Sequence, residues 1–423
     1  MLLSLALIIV CGLGLGGLAG KLKLPPLVGM LATGIILGPF ALNLIAPEVV
    51  AISADIRQIA LIILLLRAGL SLDIVELKKV GRPAILMCFL PGIFEIAGTV
   101  IFAPLLFGIS YLEAAIMGCV LAAVSEAIIV PRMLKLFANG YGSGKNIPQL
   151  ILAGASVDDT IAVVLFAAFM STYQTGTFDA LTLLSIPISI ITGIILGVGV
   201  GILFVLFCKK IKMKNTVKGL FLLSLALLFV VIERLLDEYA PSYLSVSSLL
   251  AVMMMGCVIL QINPIQAEEL SKKYHSVWTF AEIMLFVLVG SIVDINLAVS
   301  EFGLAIALLF IILSFRVVAV WICLIKTPLN KKEKLFCSIS YLPKATVQAS
   351  ISAMPLAAGI PAGALILIVA LISILITAPL GAFGIDLSYK RLLSKPLTPI
   401  DTTQNIQPQA KVSENNIVPE STS

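Results

Sequence analysis

The sequence predicts an all-α membrane protein with about thirteen transmembrane helices. Three observations carry that reading. Hydrophobic residues fill 60% of the 423 positions and charged residues only 12%, where an ordinary soluble domain has about 25% charged residues. Apolar runs of about 18 residues or more recur along the whole chain, long enough to cross a bilayer as helix, and the short alternating segments of a membrane β-barrel do not appear. Finally, the lysines and arginines gather in every second loop.

The spans fall at about 2–19, 26–42, 56–72, 84–107, 112–131, 149–170, 183–207, 219–232, 243–260, 278–293, 304–325, 335–354 and 363–381. No positive segment precedes the first run, and Lys21 and Lys23 follow it, so it reads as a span and not as a cleavable leader. The eighth is short for a span. Lys21/Lys23, Lys78/Lys79/Arg82, Arg132/Lys135/Lys145, Lys209 to Lys218, Lys272/Lys273, Lys326 to Lys334 and Lys390/Arg391/Lys395 share one side, and the other holds only Arg57 and Arg234. The positive-inside rule then places the N-terminus outside and the C-terminus in the cytoplasm of a multi-pass cell-membrane protein. Topology explains the net charge of +5, and no nucleic-acid partner is needed. Residues 1–390 form the transmembrane domain. The tail 391–423, rich in Pro, Thr, Gln, Asn and Ser beyond about 396, reads as disordered and cytoplasmic.

Spans 4–6 and 11–13 form two triplets seven spans apart, an odd offset that inverts one relative to the other. The middle member of each is interrupted, span 5 at Ala122-Ala-Val-Ser-Glu-Ala-Ile-Ile-Val-Pro131 and span 12 at Tyr341-Leu-Pro-Lys-Ala-Thr-Val-Gln348 and Met354-Pro355. Matching interruptions in inverted repeats point to a transporter's binding site at two crossing broken helices. The bland alternative is that Pro and Gly merely kink membrane helices.

Asp158 and Asp159 sit side by side in the apolar span 6. One ionisable group at that depth is a functional hypothesis by default. Two adjacent carboxylates do not both ionise without a proton or cation between them. They point about 100° apart around the helix and lie roughly 12 Å from its inner end, near the midplane. A buried carboxylate can instead cap a neighbouring helix, which a pair makes harder to argue. Glu95 and Arg316 occupy equivalent mid-depth positions of spans 4 and 11, and a buried guanidinium needs a carboxylate, Glu95 in preference to Asp158. Ser125, Glu126, Lys344, Thr346 and Gln348 lie at the breaks. Their hydroxyls, carbonyls and carboxylates are hard oxygen ligands that suit Na⁺ or Li⁺. Arg67 and Glu282, near span ends, can reach the interface.

Other chemistry finds no support. The seven cysteines lack metal or disulfide spacing and read as small hydrophobes. His275 reads as part of a polar loop. Gly140-Tyr-Gly-Ser-Gly-Lys-Asn146 misses the phosphate-loop spacing by one residue.

The stretches Val124-Ser-Glu-Ala-Ile-Ile-Val-Pro-Arg-Met-Leu134, Gly140-Tyr-Gly142 and Ile147-Pro-Gln-Leu-Ile-Leu-Ala-Gly-Ala-Ser-Val-Asp-Asp159 resemble the NHA-type sodium/proton antiporters, in the second branch of the monovalent cation:proton antiporter superfamily. Leu24-Pro-Pro-Leu-Val-Gly29, Phe280-Ala-Glu-Ile-Met-Leu-Phe-Val-Leu-Val-Gly290 and Tyr341-Leu-Pro-Lys-Ala-Thr-Val-Gln348 extend the likeness over residues 1–390. The resemblance implies a homodimer in the lipid bilayer and an elevator mechanism. A core of spans 84–170 and 304–381 would move against a dimerising scaffold of spans 2–72 and 219–293. It also implies that Asp159 binds the Na⁺, Li⁺ or proton with Asp158 beside it, with no resident cofactor and no enzymatic step. Two departures stand out. Family members commonly have Ser-Pro where this chain has Ser125-Glu126, and related paired-Asp antiporters often have Lys where it has Arg316. K⁺/H⁺ exchange is the nearest alternative. An intramembrane aspartyl protease needs two carboxylates that share a proton across a short gap, whereas adjacent residues on one helix point apart. A non-transporting sensor or channel leaves the inverted breaks unexplained.

Overall fold

The computed structural model describes residues 1–71, 81–175, 180–211, 213–239 and 246–394, without the side chains of some residues inside helices, Asp159 among them. Lys78, Lys79, Lys212, Lys395 and the tail beyond 394 lie outside the described residues.

All regular structure among the described residues is helical. In chain order the helices are α1 (Leu2–Lys21), α2 (Pro26–Leu37), α3 (Pro47–Ala51), α4 (Ser53–Ser71), α5 (Arg82–Met87), α6 (Leu90–Phe107), α7 (Tyr111–Ala122), α8 (Glu126–Ala138) and α9 (Ile147–Thr175). They continue with α10 (Ala180–Lys210), α11 (Asn215–Tyr239), α12 (Ser248–Ile262), α13 (Pro264–Ser291), α14 (Ile295–Cys323), α15 (Lys331–Ser340), α16 (Thr346–Ile351), α17 (Met354–Ala357) and α18 (Gly363–Leu392). By length and hydropathy, eight stretches among the described residues suffice to cross a membrane, and α2, α12 and residues 161–173 of α9 are shorter apolar helices. The chain is a multi-pass membrane protein.

Both expected interruptions are present, with sharper limits than the sequence suggests. The first is the extended segment Ala123–Ser125 between α7 and α8, and Pro131 lies inside α8. The second spans Tyr341–Ala345, between α15 and α16. The half-helices that precede the breaks start alike. Ser110 and Glu113 form a capping box on α7, and Asn330 and Glu333 form one on α15. Each glutamate also ties down another segment. Glu113 Oε1 accepts from Ala362 N at 3.2 Å, and Glu333 Oε2 receives Lys145 Nζ at 2.7 Å.

The helices pack as two groups. In one, α6 lies along α7 and α14, α9 packs on α7 and α8, and α18 on α14 and α15. In the other, α2 and α4 pack on α13, α12 on α4 and α10, and α1 on α2. Glycine permits the closest crossings there. A Cβ on Gly34 would stand 2.0 Å from Val287 O, and one on Gly69 would stand 2.2 Å from Met253 O.

One sequence expectation changes. His275 lies within α13, because that helix starts at Pro264, well before the apolar part that marked the span. Glu282 lies in the second half of the same helix, half-buried.

Candidate functional site

The site forms where the two breaks cross. A broken helix frees backbone donors and acceptors that lipid cannot satisfy, and here each break satisfies the other. Ser125 N donates to Pro343 O at 2.8 Å. Gln348 Nε2 donates to Ala123 O, and its Oε1 accepts from Ala345 N at 2.9 Å. Lys344 N donates to Thr377 Oγ1 at 3.0 Å, while Lys344 Nζ donates to Leu121 O at the end of α7. A cation at a helix C-terminus is favourable for the helix dipole, so Lys344 stabilises the first break from the second. Gln348 and Lys344 therefore have a structural task beside any role toward a transported ion.

Around the crossing lies a buried charge network. Arg316 Nε of α14 bonds Glu95 Oε2 of α6, and Lys344 Nζ stands 2.6 Å from Glu95 Oε1. Arg316 also reaches Asp158 Oδ2 of α9, at 3.3 Å from Nη1 and 3.4 Å from Nη2, and donates to Tyr341 O at 3.4 Å. Glu95, Arg316 and Lys344 are 0% exposed and Asp158 is 1% exposed. The expected Glu95–Arg316 contact is present, but the preference over Asp158 is not exclusive. The forked guanidinium serves both carboxylates, as its five donors allow. The pairing of Lys344 with Glu95 escaped the sequence reading, which treated Lys344 only as a lining of the break. The available signal was electrostatic: a second buried cation at that depth also needs a carboxylate.

The four described charges sum to zero, two carboxylates against one guanidinium and one ammonium. Asp159 follows Asp158 in α9, about 100° further round. It is a fifth ionisable group for which this quartet holds no counter-charge. Its side chain lies outside the described residues.

Three oxygens of residues at the breaks or in the charge network have no hydrogen-bond partner among the described residues: Asp158 Oδ1, Ser125 Oγ and Thr346 Oγ1. All three residues are buried. Gly92 of α6 makes space here, since a Cβ on it would lie 3.0 Å from Asp158 Oδ1. A carboxylate and two hydroxyls are hard, partly uncommitted oxygen donors of the kind that hold a small alkali cation. Glu126 stands at the first position of α8, half-buried. Arg67 of α4 stacks on Trp278 at 5.3 Å, contacts His275 Nδ1 at 3.3 Å, and lies close enough to Glu126 and Glu282 for both to act on its charge.

Crossed broken helices around a neutral, buried charge cluster define a secondary transporter. The family model described as "Sodium/hydrogen exchanger, transmembrane" matches residues 5–386, and the chain belongs to that family. Its members are transporters and not enzymes. Sodium/hydrogen exchanger 9B2 of Mus musculus is 31% identical over 421 residues, covering 93% of this chain and 74% of that one. Sodium/hydrogen exchanger 9B1 of Homo sapiens is 30% identical over 390 residues, 89% of this chain and 74% of its own. In fold, the chain is similar to the sodium proton antiporter MjNhaP1 from Methanocaldococcus jannaschii, with a TM-score of 0.81 at 20% identity over 92% of this chain and 97% of that one.

Proposed function

We propose that the protein exchanges Na⁺ or Li⁺ for protons across the cell membrane, with Asp159 as the carrying carboxylate and Asp158 as its neighbour in the site. The observation that carries this reading is the charge balance. Glu95, Asp158, Arg316 and Lys344 neutralise one another, so Asp159 crosses the membrane cheaply only when a proton or a cation neutralises it. Proton and cation then compete for one group. Asp158 Oδ1, Ser125 Oγ and Thr346 Oγ1 complete an oxygen shell for the bare ion. The loaded states, neutral in both cases, are the ones that move.

Arg316 does not release its proton, and it holds both Glu95 and Asp158. That leaves one exchangeable carboxylate and favours one cation for one proton. An elevator suits the packing: the group built from α5–α9 and α14–α18 carries the site, and the group containing α1, α2, α4 and α10–α13 stays fixed. The same reading takes the chain as a homodimer of thirteen-span protomers with its N-terminus outside. A pH-gradient assay in proteoliposomes, with Na⁺, Li⁺ and K⁺ added separately, tests it. Na⁺ and Li⁺ should each collapse the gradient and K⁺ should not. A response to K⁺ alone would replace this reading with K⁺/H⁺ exchange.

A further inference from the structure

Arg57 and Arg234 break the loop-charge pattern, standing on the side that otherwise carries no lysine or arginine. The exchange site makes no use of them, yet both line one cavity of about 290 Å³. Arg57 is only 5% exposed. Its Nη1 donates to Ser53 Oγ at 3.1 Å, and no described carboxylate pairs with it. A guanidinium has five donors, and a buried charge without a counter-charge is costly. Arg234, itself exposed, donates from Nη2 to Oε1 of Gln58, the residue after Arg57, at 2.6 Å. Much of the remaining wall is apolar, with Met170, Leu249 and Met354 beside the polar Gln58 and Ser350. Asp55, exposed at the rim, makes no ion pair with either arginine.

The two arginines in the lining repel cations and present forked donors that match a carboxylate. The apolar part of the lining favours a hydrocarbon chain. The volume lies at the lower end of ligand pockets, and the Asp55 charge disfavours a doubly charged head. The walls come from α4, α11 and α12 on one side and from α9, α16 and α17 on the other. Ser350 of α16 donates to Thr346 O at 2.8 Å, so one wall continues directly into the crossing.

We propose that this cavity binds an amphipathic monoanion, an alkyl carboxylate, with its head on Arg57 and Arg234 and its chain along Met170, Leu249 and Met354, and that binding arrests exchange. The arrest rests on the elevator reading above. A ligand that touches both helix groups favours the one arrangement in which it fits.

The test uses the full chain in detergent and in proteoliposomes, with decanoate kept below its micellar concentration. Acetate supplies the head without the chain, and decyltrimethylammonium supplies the chain with the opposite charge. Decanoate should raise the thermal midpoint in detergent and inhibit Na⁺-driven proton flux saturably, while the two comparators do neither. Arg57→Gln should raise the half-inhibiting decanoate concentration by about tenfold or more and Arg234→Gln by about threefold, both with exchange retained. Arg57→Lys, which keeps the charge, should lie between wild type and Arg57→Gln. Equal potency of decanoate and decyltrimethylammonium, or unchanged inhibition in both glutamine variants, would overturn the proposal. Stabilisation without inhibition would overturn the arrest. Absence of Na⁺-driven flux in the wild type would instead count against the exchange reading, and the thermal shift would still judge the cavity.

Discussion

Removing Glu95 or Arg316 unbalances a buried charge network, and the consequence can be worked out residue by residue. Glu95→Ala leaves Arg316 and Lys344 with only Asp158, a net charge of about one proton's worth in a dry site. Arg316→Ala leaves the Glu95–Lys344 contact but takes from Asp158 the cation in direct contact with it, and a donor from Tyr341 O. Breaking a buried pair by deleting one partner costs about 3–5 kcal/mol. Arg316→Ala should sit at the upper end because it strips two carboxylates at once. The double variant restores neutrality, with Asp158 and Lys344 remaining. It should lose less than the sum of the singles by a coupling toward the upper end of the roughly 0.5–3 kcal/mol seen for residues of one network. Unfolding in detergent, followed through the fluorescence of Trp278 and Trp321, measures all three variants against wild type. Strict additivity would refute the reasoning. A Glu95–Lys344 cycle with no coupling would refute the second half of the network.

Three further outcomes follow from the same geometry. Apparent Na⁺ affinity should weaken as the medium becomes more acidic, because protons occupy the carboxylate that the cation needs. The Na⁺ concentration for half-maximal flux, measured between about pH 6.5 and 8.5, should rise toward the acid end, and a flat profile would speak against a shared site. Exchange should not respond to an imposed membrane potential, since Arg316 ties up Asp158 and leaves one carrying group. Potential-driven proton uptake in the presence of Na⁺ would show that a second proton moves. Glu126→Pro should fold, because Pro is favoured at a first helical position, and should alter the pH profile or the Na⁺/Li⁺ preference by removing a charge from the start of α8. If both are unchanged, Glu126 is a bystander.

The large features were legible because bilayer physics leaves few options. Apolar runs marked the helices, and the Ala122–Pro131 and Tyr341–Gln348 stretches located both breaks to within a few residues. Boundaries were less legible where a helix runs on past its apolar part. The polar first half of α13 hid the helical setting of His275. At the site, equal depth in inverted triplets brought Glu95 and Arg316 together on paper. Depth alone could not show that Arg316 forks to Asp158, nor that Lys344 turns back from its break to Glu95. Those contacts depend on which side of each break faces α6, and that follows from backbone hydrogen bonds such as Ser125 N to Pro343 O. Gly92 gave no sequence signal, since its importance lies in the atom that a side chain would displace.

The central claim is that Asp159 alone alternates between proton and cation while Asp158 stays held by Arg316. Na⁺-driven proton flux in proteoliposomes of Asp159→Asn, alongside wild type, tests it most directly, with the thermal midpoint in detergent as the check on folding. The account predicts a folded protein with flux at the level of empty vesicles. A folded Asp159→Asn variant that retains wild-type flux would contradict it.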